Sequence, residues 1–213
     1  MRAMSSRSVR IVDDFAPAAC TALRRVFDDR FADPRSTRAD RFAWDWWHVP
    51  EQYTQLRTPA WTYFPRATYR AIHARLVAWG RDTLGCHDIS PPWLSLYVDG
   101  CGQELHGDLP HGPWAFVLSL TRWSGRAFDG GETVLVRDDV LDLWSSDILG
   151  SRRGVERDDV LRGVAPRFGR LVVFDPRIPH GVRRVSGTRD PREGRLVING
   201  WFVQPRPFVA GPL

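Results

Sequence analysis

The sequence predicts an α+β fold that is mainly β, with two N-terminal helices buttressing one sheet of a β-sandwich or barrel. Three observations carry this. Apolar residues recur at helical spacing in two N-terminal segments. After Pro91-Pro92 the pattern changes to short alternating runs rich in β-branched and aromatic residues. Gly and Pro punctuate those runs, as turns between strands require.

Val9 to Phe15 reads as a strand. Pro17 then opens a helix, because a first helical turn tolerates the missing N–H. Cys20, Leu23, Phe27 and Phe31 fall on one face of it. Residues 33–64 follow neither period and read as an irregular aromatic segment. A second helix begins after Pro65, with Tyr69, Ile72, Leu76, Trp79 and Thr83 in its repeat and Gly85 placed to end it. Strands are expected at Trp93–Val98, Gln103–Asp108, Trp114–Thr121, Glu132–Val136, Arg170–Asp175, Ile178–Arg183 and Arg195–Val203. The stretch 137–168 interrupts them. It contains a small repeat, Arg137-Asp138-Asp139-Val140-Leu141 and Arg157-Asp158-Asp159-Val160-Leu161. Paired Asp residues can hold Mg²⁺, but Asp before an apolar run more often caps a helix. The Pro-rich tail, Gln204 to Leu213, is expected to run over the surface. No composition break divides the chain. A single domain over 1–213 is expected, with 1–92 as helical buttress and aromatic segment and 93–203 as the β core.

All 30 Lys-or-Arg side chains are arginine. With no lysine, no Schiff base can form, which excludes pyridoxal-phosphate enzymes and lysine aldolases. A Walker A loop is excluded for the same reason. The arginines alternate with aspartates along the chain, so the net charge of +5 describes a mixed, solvated surface and argues against a nucleic-acid partner. No apolar run reaches the ~18 residues of a membrane span, and Met1 to Arg10 has no signal-peptide core. Three cysteines without a CxxC pair suit a reducing compartment, so a cytoplasmic location is expected. Of ten tryptophans, Trp44, Trp46, Trp47 and Trp61 cluster, and clustered Trp builds either core or the apolar walls of a substrate pocket.

The chemistry-bearing pattern is His106-Gly107-Asp108 with His180 far downstream. Residues i and i+2 of a strand project to one face, which sets an imidazole beside a carboxylate. A second histidine completes a two-His-one-carboxylate set, which suits Fe(II) and leaves coordination positions open. An HxD alone is weak, since about half a match is expected by chance at this composition. Its context is stronger. Gly130-Gly131-Glu132-Thr133 precedes one predicted strand, Leu171 to Asp175 leads into Pro179-His180-Gly181-Val182, and Arg195 opens Leu196 to Phe202. His111 competes as a ligand, but its spacing from Asp108 suits a structural or substrate-facing place.

On these residues the chain resembles the 2-oxoglutarate/Fe(II)-dependent dioxygenases, in their prolyl-hydroxylase-like branch, over roughly Trp93 to Val203, with Val9 to Phe31 also similar. The resemblance implies a double-stranded β-helix, or jelly roll. It implies Fe(2+), 2-oxoglutarate and O2 as cofactors, with His106, Asp108 and His180 as metal ligands. Arg195 would anchor the far carboxylate of 2-oxoglutarate, being always charged and able to bind bidentately. Tyr97 and Ser119 lie where the family often offers a hydroxyl to the same co-substrate. Trp114 and Trp201 are candidate substrate contacts. Arg195 is singled out by position, at the start of a strand expected to pair beside the metal-bearing one. The implied reaction hydroxylates an unactivated C–H, most naturally on an amino-acid side chain, free or in a peptide or protein. Related halogenases have a small residue in place of the carboxylate, so Asp108 favours hydroxylation. Nucleic-acid demethylases of the superfamily carry a second Arg six residues past the first; here that position is Trp201.

Two other classes remain open. A cupin-like metal enzyme would normally show HxH, and a catalytically silent Arg/Trp-rich binding module would need no metal. Ser-His-Asp catalysis has no support, because no GxSxG elbow is present.

Overall fold

The computed structural model describes residues 9–32, 44–108, 111–137 and 161–204. Within them the chain forms β1 (Val9–Val12), α1 (Pro17–Phe31), β2 (Asp45–Val49), β3 (Tyr53–Pro59), α2 (Ala60–Tyr63), α3 (Arg66–Leu84), β4 (Asp88–Ile89), β5 (Trp93–Tyr97) and β6 (Gly102–His106). It continues with β7 (Trp114–Ser119), β8 (Thr133–Val136), β9 (Leu161–Val164), β10 (Leu171–Phe174), β11 (His180–Val182) and β12 (Arg195–Val203).

Both long helices form where their apolar spacing predicts them. Pro17 occupies the first turn of α1, and Cys20, Leu23 and Phe27 are fully buried. At the end of α3, Gly85 takes φ 69° and Cys86 N–H donates to Gly80 O, closing the helix with a left-handed residue that only Gly adopts without strain.

The strands make one antiparallel sheet in the order β1-β10-β7-β12-β5-β3-β6-β11-β8-β9, with β2 added to β3 and β4 to β12. The sheet curls on itself. Arg195 on β12 donates from Nη2 to Thr133 Oγ1 on β8 at 3.1 Å, although four strands separate them in pairing order. β3 makes the corner, pairing β5 through Leu56–Pro59 and β6 through Tyr53 and Thr54.

Each face of the larger layer has its own partner, because side chains alternate along a strand. Leu196, Ile198 and Phe202 point outward and pack with Leu23, Phe27, Ile72 and Leu76 of the helices. Gly80 marks how close that packing is, since a Cβ there would lie 2.5 Å from the Phe202 ring. Inward residues of the two layers meet in two small clusters. One joins Tyr97 and Val197 to Val182 and Val185; the other joins Ala115, Val172 and Phe174 to Leu135, Val164 and Ile178.

The structure corrects several expectations. The segment 33–64 is not irregular throughout, since β2 and β3 form a hairpin there. Its alternation is hidden because Tyr53, Gln55 and Arg57 face a cavity and are polar or amphipathic where a core strand would be apolar. Leu161, the last residue of the second Arg-Asp-Asp-Val-Leu copy, opens β9 against β8 and starts no helix. The rest of that repeat, beyond Arg137 in the first copy, lies outside the described residues, as does most of the tail. Finally, β12 does not pair beside the histidine-bearing strands. It pairs with β4, β5 and β7, while β11 pairs with β6 and β8, so Arg195 faces the histidines from the opposite layer.

Candidate metal centre

His106 and His180 are direct cross-strand partners on β6 and β11. Opposed residues of an antiparallel pair share a face, and the two rings stand 4.5 Å apart between centroids. The register shifts just beyond them, where three steps of β6 oppose two of β11. Such a bulge kinks a strand and re-aims its side chains. Gly181 is required at this crossing, because a Cβ would lie 2.6 Å from Gln103 O.

Asp108 lies past the end of β6, so it reaches the histidines from a turn and not from a strand face. Its N–H donates to Pro176 O at 3.0 Å, and its carbonyl accepts from His111 N–H at 3.1 Å. The first of these bonds ties it to the turn that precedes β11.

The ligand atoms of His106, Asp108 and His180 all lie within 4.8 Å of one another. His180 Nε2 is 3.2 Å from Asp108 Oδ2, and His106 Nε2 is 3.6 Å from Oδ1. Both rings place Nδ1 at 2.9 Å from a backbone carbonyl, Glu104 O for His106 and Ile178 O for His180. A carbonyl only accepts, so each Nδ1 carries the proton and each Nε2 presents its lone pair. The lone pairs therefore converge on a carboxylate, an arrangement that calls for a cation between them. Without a metal, a proton can take the cation's place on these rings: burial raises the Asp108 carboxyl, but a hydrogen bond donated by protonated His180 Nε2 and the positive charges of protonated His180, His106 and His111 outweigh it and hold the group below its usual value. Phe174 closes one side, its ring edge-on to His180 at 4.6 Å.

A cavity of about 500 Å³ opens from this cluster between the two layers. Arg195 lies across it, 1% exposed. Its guanidinium stacks 4.5 Å over the Tyr97 ring and donates to Thr133, while Nε and Nη1 are buried without a partner. Burial pushes its pKa down, partly offset by Tyr97 and Glu132. Unpaired buried N–H groups of a cation are costly, so the pocket is built for an anion. A metal-binding cluster and an orphaned guanidinium in one cavity fit a metal with an anionic co-substrate.

The other expected residues divide. Tyr97 lines the cavity, but its hydroxyl sits between Gln55 Oε1 at 2.8 Å and Gln103 Oε1 at 3.0 Å. Burial keeps this phenol protonated. Ser119 does not reach the cavity. It is buried under the turn before β10, donating to Pro166 O at 2.6 Å and accepting from Thr121 N–H. The hydroxyl beside Arg195 belongs instead to Thr133, which the sequence marks only as flanking context. Trp114 packs among the core residues, under Arg10. Trp201 lines the cavity and stacks on His111, whose ring is 4.5 Å away and outside the ligand cluster. Of the clustered tryptophans, Trp47 lines the cavity, Trp44 packs on Phe27 and Tyr63, and Trp46 is 60% exposed. Sequence reasoning does not mark Arg57, Gln55 or Gln103 as cavity residues. The one signal for Arg57 is its place among the clustered tryptophans.

Comparison with known proteins agrees with this geometry. No curated protein sequence matches the chain. Among solved structures, a prolyl-4-hydroxylase from Pseudomonas putida is similar at TM-score 0.56 and 19% identity, covering 94% of this chain and 95% of that one. A prolyl hydroxylase from Trichoplax adhaerens, in complex with a hypoxia inducible factor oxygen degradation domain peptide fragment, is similar at TM-score 0.60 and 14% identity, over 94% and 86%. A non-heme alpha ketoglutarate dependent epimerase from nogalamycin biosynthesis is similar at TM-score 0.61 and 16% identity, over 95% and 80%. These likenesses establish the jelly-roll fold. The model of the 2OG-Fe(II) oxygenase superfamily matches residues 92–203, more than half of the chain and the whole of the cavity's metal side. The chain is therefore a member of the 2OG-Fe(II) oxygenase superfamily, a dioxygenase that uses Fe(2+), 2-oxoglutarate and O2.

Proposed function

We propose that the protein hydroxylates an unactivated C–H bond on an amino-acid side chain, free or within a peptide or protein. The observation that carries this reading is one cavity holding both the His106–Asp108–His180 cluster and the orphaned Arg195 guanidinium. Prolyl hydroxylases among the similar structures support the amino-acid part.

In this reading His106 and His180 supply Nε2, and Asp108 supplies a carboxylate oxygen, to Fe(II). Glu104 O and Ile178 O hold the two rings in the ligating tautomer. Arg195 and Thr133 hold the far carboxylate of 2-oxoglutarate, where the guanidinium offers Nε and Nη1. Iron, 2-oxoglutarate and O2 together supply the oxidising power that breaks the C–H bond, with succinate and CO2 as by-products. Phe174 and Val182 border the metal cluster with apolar surface that limits access of water. Tyr97, Gln55 and Gln103 form a neutral hydrogen-bonded group that lines the cavity beside Arg195.

The test is spectroscopic and then chemical. Fe(II) and 2-oxoglutarate are added anaerobically and the metal-to-ligand charge-transfer band is sought, after which O2 is admitted and succinate assayed. Folded protein with neither band nor succinate would overturn the reading. Product mass then separates outcomes, since hydroxylation adds one oxygen and epimerisation, the activity of the similar enzyme from nogalamycin biosynthesis, adds none.

A further inference from the structure

Arg57 is a second guanidinium in the cavity, and the chemistry above does not use it. It lies on β3 with Tyr53 and Gln55, on the face turned inward. The guanidinium is held between two indoles, over Trp47 on one side and 4.0 Å from the Trp93 ring centroid on the other. Two aromatic faces fix the plane of an arginine and leave its N–H edge as the only polar direction. Nε is buried and has no partner.

The nearest anions do not neutralise it. Asp45 is its cross-strand partner on β2, yet the two make no ion pair among the described residues. Burial lowers the pKa of Arg57 to about 10, with weak opposition from Tyr53, Asp45 and Tyr97. The group is still a cation at neutral pH.

Arg57 and Arg195 divide the cavity between them. Arg195 is on β12, fully buried and bonded to Thr133. Arg57 is two strands away, beyond β5, and is partly exposed. 2-Oxoglutarate has two carboxylates, one for the metal and one for Arg195, so it leaves nothing for Arg57. We propose that Arg57 binds a carboxylate of the primary substrate, clamped between Trp47 and Trp93. The substrate is then a carboxylic acid: a free amino acid or similar small acid, or a polypeptide presenting an acidic side chain. The indoles would pack the apolar part next to that carboxylate. This inference rests on the oxygenase reading above and narrows its substrate.

The experiment uses full-length protein loaded anaerobically with Fe(II) and 2-oxoglutarate. Loading is followed by the charge-transfer band, which substrate binding beside the metal shifts. Three probe sets are titrated: the twenty free amino acids, their C-terminal amides, and capped peptides containing Asp or Glu beside the same peptides with Asn or Gln. The expected result is an acid that shifts the band while its amide binds about tenfold more weakly or not at all. In Arg57→Ala the acid should lose about tenfold in affinity and match its amide, with the 2-oxoglutarate Kd moving less than about twofold; Arg57→Lys should recover part of the loss. Binding by free amino acids assigns the carboxylate to a small molecule, and binding by Asp or Glu peptides assigns it to a polypeptide; both support the proposal. Equal binding of acids and amides, no binding by any probe, or loss of 2-oxoglutarate binding in Arg57→Ala overturns it. A wild-type protein with no band overturns the oxygenase reading instead, so the two failures are distinct.

Discussion

Arg195 Nη2 donates to Thr133 Oγ1 at 3.1 Å across the two layers of the sheet. The remaining two nitrogens, Nε and Nη1, are buried without partners. The relationship joins the metal-bearing layer to the helix-backed layer at the point where an anionic co-substrate would be held.

A buried cation with missing partners weakens the ligand-free fold. Arg195→Met keeps most of the side-chain volume and removes the charge. The ligand-free variant should be more stable than the parent by about 1–3 kcal/mol, seen as a higher Tm. 2-Oxoglutarate with Mn(II) should raise the Tm of the parent, and the variant should lose that rise. A variant less stable than the parent would mean that the orphaned nitrogens carry no strain.

Thr133→Val removes the hydroxyl at nearly constant volume. One hydrogen bond of this kind is worth about 1 kcal/mol, so the 2-oxoglutarate Kd should rise about fivefold, and Thr133→Ser should recover most of it. Ser119→Ala should leave that Kd unchanged and lower stability, because its hydroxyl serves Pro166 and Thr121. Isothermal titration of the metal-loaded protein and a denaturant melt separate these effects.

His106→Ala removes a ligand that is part exposed and whose loss leaves the sheet intact. The charge-transfer band and succinate formation should both vanish, while far-ultraviolet circular dichroism stays that of the parent. His111→Ala, by contrast, should keep the band, since His111 stacks on Trp201 outside the cluster. A band lost with His111 and kept without His106 would exchange their roles.

Gly80→Ala reverses a common sign. In an open helix interior the change stabilises by about 1 kcal/mol. Here the added Cβ would lie 2.5 Å from the buried Phe202 ring, and overpacking of that kind costs about 1–3 kcal/mol. The expected result is a lower midpoint in urea with an unchanged slope.

Asp13 and Arg170 form a two-point ion pair, Nε to Oδ1 at 2.6 Å and Nη2 to Oδ2 at 2.9 Å. The hydrogen bond from Arg170 holds the Asp13 carboxyl below its usual 3.8. A lowered carboxylate pKa stabilises the fold above the unfolded value and loses that contribution as pH falls through the folded one. Asp13 is exposed, so the effect is screened and stays below about 1 kcal/mol. Asp13→Asn should cost that much at pH 7 and nothing once the pH lies below the folded pKa, measured by urea melts at the two pH values.

Both helices and most strands are legible in the chain alone because each buries an apolar face of regular period. α1 and α3 press Leu23, Phe27, Ile72 and Leu76 into the sheet, and β12 alternates Leu196, Ile198 and Phe202 outward. The metal cluster is legible too, since His106 and Asp108 are neighbours in sequence and Pro179-His180-Gly181 follows an apolar strand at a turn. β2 and β3 are not legible. The inward residues of β3, Tyr53, Gln55 and Arg57, are polar or amphipathic and face the cavity, so no hydrophobic alternation marks the hairpin.

What the sequence determined by itself is local: periodicity, turn residues, the HxD pair, and the absence of lysine, which leaves arginine as the anchor for any buried anion. Which arginines line the cavity was decided only by the curling of the sheet. That curl sets β12 and β8 face to face, so that Arg195 meets Thr133, and turns Arg57 inward between Trp47 and Trp93. The physical reason is that all thirty arginines carry the same charge; among the described residues, Arg195 and Arg57 combine a buried, unpartnered N–H with a place in the cavity wall, whereas Arg126 has such an N–H outside the cavity.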